Sequence, residues 1–468
     1  MRVERAADLL VLGAGMAGLS AAAAAAQQGA RVIVVEKDEA IGGSAQFAGF
    51  IWTAPTLEVM REVNPDGDPE LAERLVDGYD PAIEWVRSLG IEVQPAVTVL
   101  RFGRGHGVDM TGLLRRCRTI VEDSGGEVVV GAEPERLLSS GGEVQGAEIR
   151  LSSGERRVIE ASSTLLATGG FGGDPELRER HIHANVRDIP LRANAQSNGQ
   201  GLRLGLSVGA AFGDEGAGFY GHLMPYGVRV DDPLEFPTMT MYHSEHGVLV
   251  NLEGRRFVDE TVGDHISTIA LAEQPEARCL LITDERVHRD WMLKPYVEGV
   301  EAPDKFKLVY QRDGRCAVAE DLEEFAFLPP EWGYPGEVVR DTLAEFNRQC
   351  QAGSPDPSRR EDPLPLRAPY YVMEVVAAIT FTFGGVLIDK QARVRAADGG
   401  VIPGLLAAGA DAGGVYNRAY AGGLACALVF GLQAAATALE RSRAGDQSSR
   451  SSRSAPIAAG GTPAGPAR

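Results

Sequence analysis

Apolar residues in this chain recur in a small number of figures. The first is a short aliphatic run that passes straight into glycines and then into a helix of small residues. Residues 9–12 (LLVL) lead into Gly13, Gly15 and Gly18, with an alanine-rich helix over 17–28 stopped by Gly29. Residues 165–167 lead into Gly169 and Gly170. Residues 405–408 lead into Gly409, then Gly413-Gly414 and Gly422-Gly423, before a closing helix over 425–441. Unbroken apolar runs of this length predict strands covered on both faces, as in a parallel sheet flanked by helices. A further such strand, 31–35, ends at Glu36.

The second figure is three- and four-residue spacing. Leu71, Leu75, Val76, Ile83, Val86 and Leu89 predict helices over 69–90, and another helix follows over 111–122. The third is short alternating segments divided by Gly/Ser turns: 127–130, 144–151 and 157–159 read as an inserted antiparallel meander without catalytic content. Residues 101–110 (RFGRGHGVDM) read as a loop, whose Arg104 and His106 reach substrate or phosphate, or simply lie on the surface. Asp174 before Pro175 is a predicted helix N-cap, and Asn198-Gly199 opens a helix over 202–208 at a position that suits contact with a cofactor.

From Gly221 the strand–glycine–helix rhythm is lost and Pro, His, Tyr and Trp become frequent. The expected division is a first nucleotide-binding part over 1–220, a second domain over 221–366, a return to the first domain over 367–441, and a disordered tail over 442–468. In the second domain, 247–251 and 257–258 read as strands. After it, 370–376 and 386–388 do so on either side of FTFGG.

Composition narrows the class. The 468 residues are 44% hydrophobic and 24% charged, with a net charge of −19, which argues against non-specific nucleic-acid or anionic-membrane binding. Five scattered cysteines with no C-x-x-C pair fit a reducing compartment and no zinc or iron–sulfur centre. Five of the eight histidines fall in 221–366 without the short spacing of a metal helix, so no metal is expected. With neither a signal peptide nor a membrane span legible, the expected location is cytoplasmic.

The candidate chemistry begins at the first glycines. Gly13, Gly15 and Gly18 form G-x-G-x-x-G between a strand and a helix, and Glu36 ends the next strand. In such a unit the glycines serve a tight turn, close backbone approach to a pyrophosphate at the helix N-terminus, and helix–strand packing, while the acid binds a ribose hydroxyl. Gly42, Gly43 and Ser44 offer a second backbone approach, which a long flavin dinucleotide needs more than NAD does, so FAD is expected.

Five blocks in order, GAGMAG with Glu36 and GGSAQ, LLATGGFG, VLVNLEGRRFVDE, FTFGG, and GLLAAGADAGGVYNRAYAGGLACALVFG, make the chain resemble the fumarate reductase/3-ketosteroid Δ1-dehydrogenase superfamily of FAD flavoproteins over residues 8–440. The resemblance implies an α/β fold: a Rossmann-like FAD-binding domain, split in sequence, with an inserted α+β capping domain that holds substrate against the flavin. It implies FAD contacts at Gly13, Gly15, Met16, Ala17, Gly18, Glu36, Lys37, Gly42, Gly43, Ser44, Gln46, Ala132, Thr168, Gly169, Gly170, Gly409, Asp411, Gly423 and Leu424. FAD is expected to be non-covalent, because the GGSAQ loop has no histidine.

The departures concern the substrate. Fumarate reductases carry a proton-donating Arg, a His and a carboxylate-clamping Arg at positions held here by Asp264, Phe381 and Tyr420. Tyr420-Ala421-Gly422 instead resembles the ketosteroid dehydrogenases, whose tyrosine hydrogen-bonds a ketone oxygen. The last block also resembles tricarballylate dehydrogenase, for which Arg418 is the cation to pair with a carboxylate. Tyr420 is therefore the expected electrophile and Asp264 the expected base, with His265 as its substitute; Asp264 reads equally as a helix N-cap. Phe381 and Phe383 are expected to line an apolar substrate pocket, with Tyr242, His243 and His246 of the cap as further candidates that read more commonly as solvated loop residues. These residues point to a dehydrogenase placing a C=C bond α,β to the carbonyl of a cyclic or steroid-like ketone. The alternatives are an ene-reductase, a tricarballylate-like carboxylate dehydrogenase and a non-catalytic flavin sensor. The electron acceptor is unknown.

Overall fold

A computed structural model describes residues 2–213, 218–295, 302–361, 364–417 and 419–453. Its main sheet runs, from one edge, through Arg393–Arg395, Val401–Ala407, Arg156–Leu166, Arg2–Leu12, Val32–Val35 and Glu127–Val129, parallel except for the first. Leu9, Leu10, Val11 and Leu12 are fully buried within the sheet, against which Met16–Gln27 and Gly423–Arg453 pack. The alanine-rich helix Met16–Gln27 packs against the closing helix Gly423–Arg453. A side chain at Gly18 would overlap the Gly13 carbonyl, and one at Gly431 would lie 2.6 Å from the Ala17 carbonyl oxygen. Small residues thus let strand, turn and both helices approach closely around the first glycine loop.

Three expectations are corrected here. Glu127–Val129 is not part of the meander; it pairs in parallel with Val32–Val35 at the sheet edge. The meander is Ala132–Ser140, Glu143–Leu151 and Arg156–Leu166, and its last strand continues unbroken into the LLATGG strand. The first half of that strand lies between Glu143–Leu151 and Arg2–Leu12, the second between Arg2–Leu12 and Val401–Ala407. Residues 101–110 are not simply a loop: Gly103–Val108 is the central strand of a small antiparallel sheet with Phe50–Thr53 and Val93–Val99. Glycines at 103 and 105 make room for Trp52 on that sheet. Arg104 pairs with Asp80 and stacks over Tyr79, and His106 Nδ1 lies 2.8 Å from the Gln94 carbonyl, so both are structural.

A second sheet joins Phe219–Pro225, Tyr370–Thr382, Arg278–Asp284 and Val248–Asn251, all antiparallel, with Cys316–Ala319 also on Tyr370–Thr382. Tyr370–Thr382 follows the expected domain boundary at 366, yet its pairing makes it part of this sheet, and its far end returns the chain to the glycine loops. Residues 257–258 form no strand. The block they belong to is a buried ion cluster: Glu260 accepts from Arg256 Nη2 (2.7 Å) and Leu249 N (3.0 Å), with Arg359 3.7 Å away.

The closing helix runs to Arg453, past Ser442 where disorder was expected, and Ser442 Oγ donates to Asp8 (2.6 Å). Residues 454–468 lie outside the described residues. Gly423–Ala444 has the length and mean hydropathy (1.5) of a membrane span, but 67% of its most apolar window is buried inside the protein, as in a core helix. All five cysteines are free thiols.

Candidate active site

The three strand–glycine junctions meet at the carboxyl ends of the parallel strands, where open α/β sheets bind ligands. They enclose a cleft of about 1080 Å³ lined by Gly13, Gly15, Met16, Ala17, Glu36, Lys37, Gly43, Ser44, Thr168, Gly169, Gly409, Gly423 and Leu424, all anticipated from the sequence. Gly13 adopts φ +110, and a side chain there would overlap the Ala167 carbonyl, so the first and second junctions interlock only with glycine. Glu36 accepts from Ala14 N (2.7 Å) and Asp38 N (3.0 Å), which fixes the acid at the rim of the cleft.

The other anticipated residues support the cleft without lining it. Gly18 provides helix packing, and Gly42 carries the turn at φ +121. Gln46 Nε2 donates to the Gly43 carbonyl (3.0 Å), and Ala132 N donates to the Glu36 carbonyl (2.8 Å). Asp411 is corrected from a ligand-facing acid to an internal latch. Its buried carboxylate accepts from Thr168 N, Thr168 Oγ1 (3.1 Å) and Gly170 N (3.0 Å), tying the second junction to the third. The sequence reading missed a strap over the cleft. Asn194, Gln196 and Ser197 line it, Asn194 N donating to Ser44 Oγ (2.9 Å) and Asn194 Nδ2 to Asp38 (3.0 Å). Gln200, in the helix Gln200–Ser207 that Asn198-Gly199 opens, lines it as that motif suggested.

A second cavity of about 1410 Å³ abuts the cleft, the two sharing Ser44, Ala48, Thr380, Tyr420 and Leu424. Tyr420 stands at the junction, with its ring stacked on Tyr220 (centroids 3.7 Å, 10°) and edge-on to Trp52 (5.4 Å). Gly422, at φ +94, abuts the Trp52 carbonyl and brings the tyrosine there. The Gly423 backbone faces the Tyr420 hydroxyl. The apolar wall is Phe47, Phe50, Trp52, Val99, Leu100 and Phe236, contributed largely by the small sheet. Phe381 is corrected to the cofactor side: it lines the cleft, 5.5 Å from Tyr420. Phe383 is buried against Tyr416 and lines neither cavity.

Tyr242 lines the second cavity as expected. Asp264 and His265 do not; with His243 they line an adjoining side chamber of about 960 Å³. The residue from this group that reaches the second cavity is His222, whose Nδ1 lies 2.5 Å from Asp264 Oδ2. Asp264 therefore does not cap its helix by its side chain. Arg418 lies outside the described residues. Among the described residues no group of three or more His, Cys, Asp or Glu is arranged to hold a metal.

A family described as an FAD binding domain matches residues 8–425. The chain belongs to this family. It is 25% identical to an NADH:fumarate oxidoreductase of Klebsiella pneumoniae over 93% of its own length, and spans only 48% of that protein. It is 27% identical to a fumarate reductase (cytochrome) of Shewanella frigidimarina, covering 93% of the chain and 77% of the relative. In structure it superposes on the 3-ketosteroid delta1-dehydrogenase of Sterolibacterium denitrificans with a TM-score of 0.75 at 16% identity, covering 93% of the chain and all of the other (100%). The fold is thus the FAD-binding α/β fold with a cap.

The flavoprotein's cleft suits FAD: the glycine backbone at a helix N-terminus would hold the phosphates, Glu36 would hold a ribose hydroxyl, and among the described residues the lining has neither His nor Cys. Electrostatics sort the groups around the second cavity. Burial pushes His222 below its usual value, against the pull of Asp264, so the imidazole is neutral. Burial alone would raise the Asp264 carboxyl, but the facing His222 and its hydrogen bond hold it below the usual carboxylate range, so it is ionised. Burial lowers His265 to about 4 and His243 to about 3, and raises the Tyr420 phenol far above its ordinary value. Neutral imidazole with an ionised acid on Nδ1 leaves Nε2 as a proton acceptor.

Proposed function

We propose that the chain is an FAD-dependent dehydrogenase that introduces a C=C bond next to a carbonyl, with residues 221–366 and the strand Tyr370–Thr382 acting as the cap over the flavin. The observation that carries this reading is that Tyr420 and His222 line one cavity, and that this cavity meets the cofactor cleft at Tyr420. Bound FAD supplies the two-electron hydride acceptor. Asp264, accepting the Nδ1 hydrogen of His222, fixes the tautomer that leaves Nε2 free to take the proton from the carbon next to the carbonyl. The Tyr420 hydroxyl donates its hydrogen to the carbonyl oxygen and stabilises the developing enolate. The aromatic wall excludes water from the reacting carbons.

The reverse reaction is the second reading, favoured by the reductase names of relatives at 25% and 27% identity. It requires His222 protonated, which its burial opposes. Anaerobic mixing of the oxidised flavoprotein with saturated cyclic ketones, steroid ketones and carboxylic acids tests both readings. Bleaching of the flavin band supports the dehydrogenase. Reoxidation of dithionite-reduced protein by an enone or enoate, without bleaching by any saturated compound, would replace it with the reductase. Silence in both directions sinks both.

A further inference from the structure

Besides the exposed Lys294, the second cavity is lined by two cations that the protein leaves without an acid. Arg192 donates through Nη1 to Thr380 Oγ1 (2.9 Å), its guanidinium lies 5.5 Å over the Phe236 ring, and its buried Nε has no partner. Lys305 is 8% exposed; its Nζ donates to the carbonyls of Thr240 and Pro237 (3.4 Å) and stands 5.0 Å over the Tyr242 ring. No carboxylate lies within 4.0 Å of either among the described residues. The nearby Asp264 is committed to His222. Around the second sheet Arg256 pairs with Glu260, and Arg278 and Arg315 pair with Glu374, whereas buried Arg178 has the Ile189 carbonyl instead of an acid. A buried ammonium and a half-buried guanidinium without a counter-ion are costly, and carbonyl dipoles and ring faces offset only part of that cost. Phe47, Phe50, Trp52, Val99, Leu100 and Phe236 give the cavity its apolar wall, beside the polar Ser44, His222, Thr238 and Thr380.

We propose that Arg192 and Lys305 hold the carboxylate of the substrate, while its ring or apolar chain lies against Phe47, Phe50, Trp52 and Phe236 and its reacting carbons face Tyr420. The substrate class is then a bulky acid that also carries a ketone, whose oxygen accepts from Tyr420, instead of a neutral ketone. This rests on the cavity beside Tyr420 being the substrate site. Arginine suits a planar carboxylate, and Lys305 adds a point charge on a stem fixed by two carbonyls. The positions differ from the cation positions of the sequence motifs, which Phe381 and Tyr420 occupy here.

Calorimetric titration of the oxidised holoprotein with 3-phenylpropanoate and with 3-phenylpropanamide tests the assignment without turnover. The acid is expected to bind at least about tenfold tighter than the amide, the scale of one charge-assisted contact. Lys305→Gln and Arg192→Gln should each remove that preference while FAD content and spectrum stay intact, and Lys305→Arg should retain it. Equal binding of acid and amide, absence of acid binding, or a preference that survives the two Gln variants would overturn the carboxylate site. Flavin bleaching by a steroid ketone together with no acid binding would discard the carboxylate and keep the dehydrogenase. Tight acid binding with no redox response to acids or ketones would keep the carboxylate site and discard the dehydrogenase.

Discussion

Tyr420 and His222 divide the proposed chemistry between an electrophile and a base, and each makes its own prediction. Tyr420→Phe keeps the ring stacked on Tyr220 and removes only the hydroxyl, so substrate-driven flavin reduction in stopped flow should slow by about tenfold or more while FAD content stays unchanged. His222→Gln should slow the same step by about a hundredfold or more, the usual scale for a lost general base, and should remove the acid limb from its pH profile. Lys305 adds a pH dependence to binding. Burial, together with the repulsion of Arg192 and against the pull of Asp264, lowers its pKa to about 8. Carboxylate affinity should therefore be highest below that pH and fall as pH rises through it, and a dissociation constant flat from pH 7 to 10 would remove Lys305 from the site. Tyr420 was legible in the sequence because a motif surrounds it. His222 was not, since a lone histidine in FYGHLMP becomes a candidate only once Asp264 is seen 2.5 Å from it.

The unit that matters among the elements is the strand–glycine–helix junction. Its three copies were legible because an unbroken aliphatic run followed by glycine reflects a local requirement: a strand covered on both faces must end where backbone meets ligand. Gly13→Ala puts a Cβ into the Ala167 carbonyl at φ +110, so the purified protein should lose most of its flavin on desalting. Asp411→Asn keeps the shape of the latch but replaces one acceptor oxygen by a donor facing backbone N–H groups. A loss of about 1–3 kcal/mol is expected, read from the unfolding midpoint of the holoprotein. The misread elements were those whose partners are remote in sequence. Residues 127–129 read as meander because the next turn looked local, yet Val32–Val35 claims them. RFGRGHGVDM read as loop because its glycines look flexible, whereas those at 103 and 105 make room for Trp52 in a strand.

Across the whole molecule, stability should follow the buried histidines. His243 and His265 have folded pKa values of about 3 and about 4, both below the unfolded value of 6.5, and His222 is lowered as well. A depressed folded pKa means the unfolded chain takes up protons first, so the stability these groups confer is complete above about pH 6.5 and is lost as pH falls toward 4 and 3. Glu36 and Asp411, raised by burial, act in the opposite sense nearer the carboxylate range. The melting temperature should therefore be level above about pH 7 and begin to fall between about pH 6.5 and 5. His243→Asn should flatten that fall.

By itself the sequence determined the cofactor, the α/β class and the junction loops, because these depend on short-range constraints: a turn that only glycine can make, a helix that only small residues can pack, an acid at the end of a strand. Only the tertiary structure decided the substrate side. Arg192, His222, Asp264, Lys305 and Tyr420 are separated by long stretches of chain, and each is unremarkable in its local context. Desolvation and charge pairing act between them only after the second sheet folds them around one cavity.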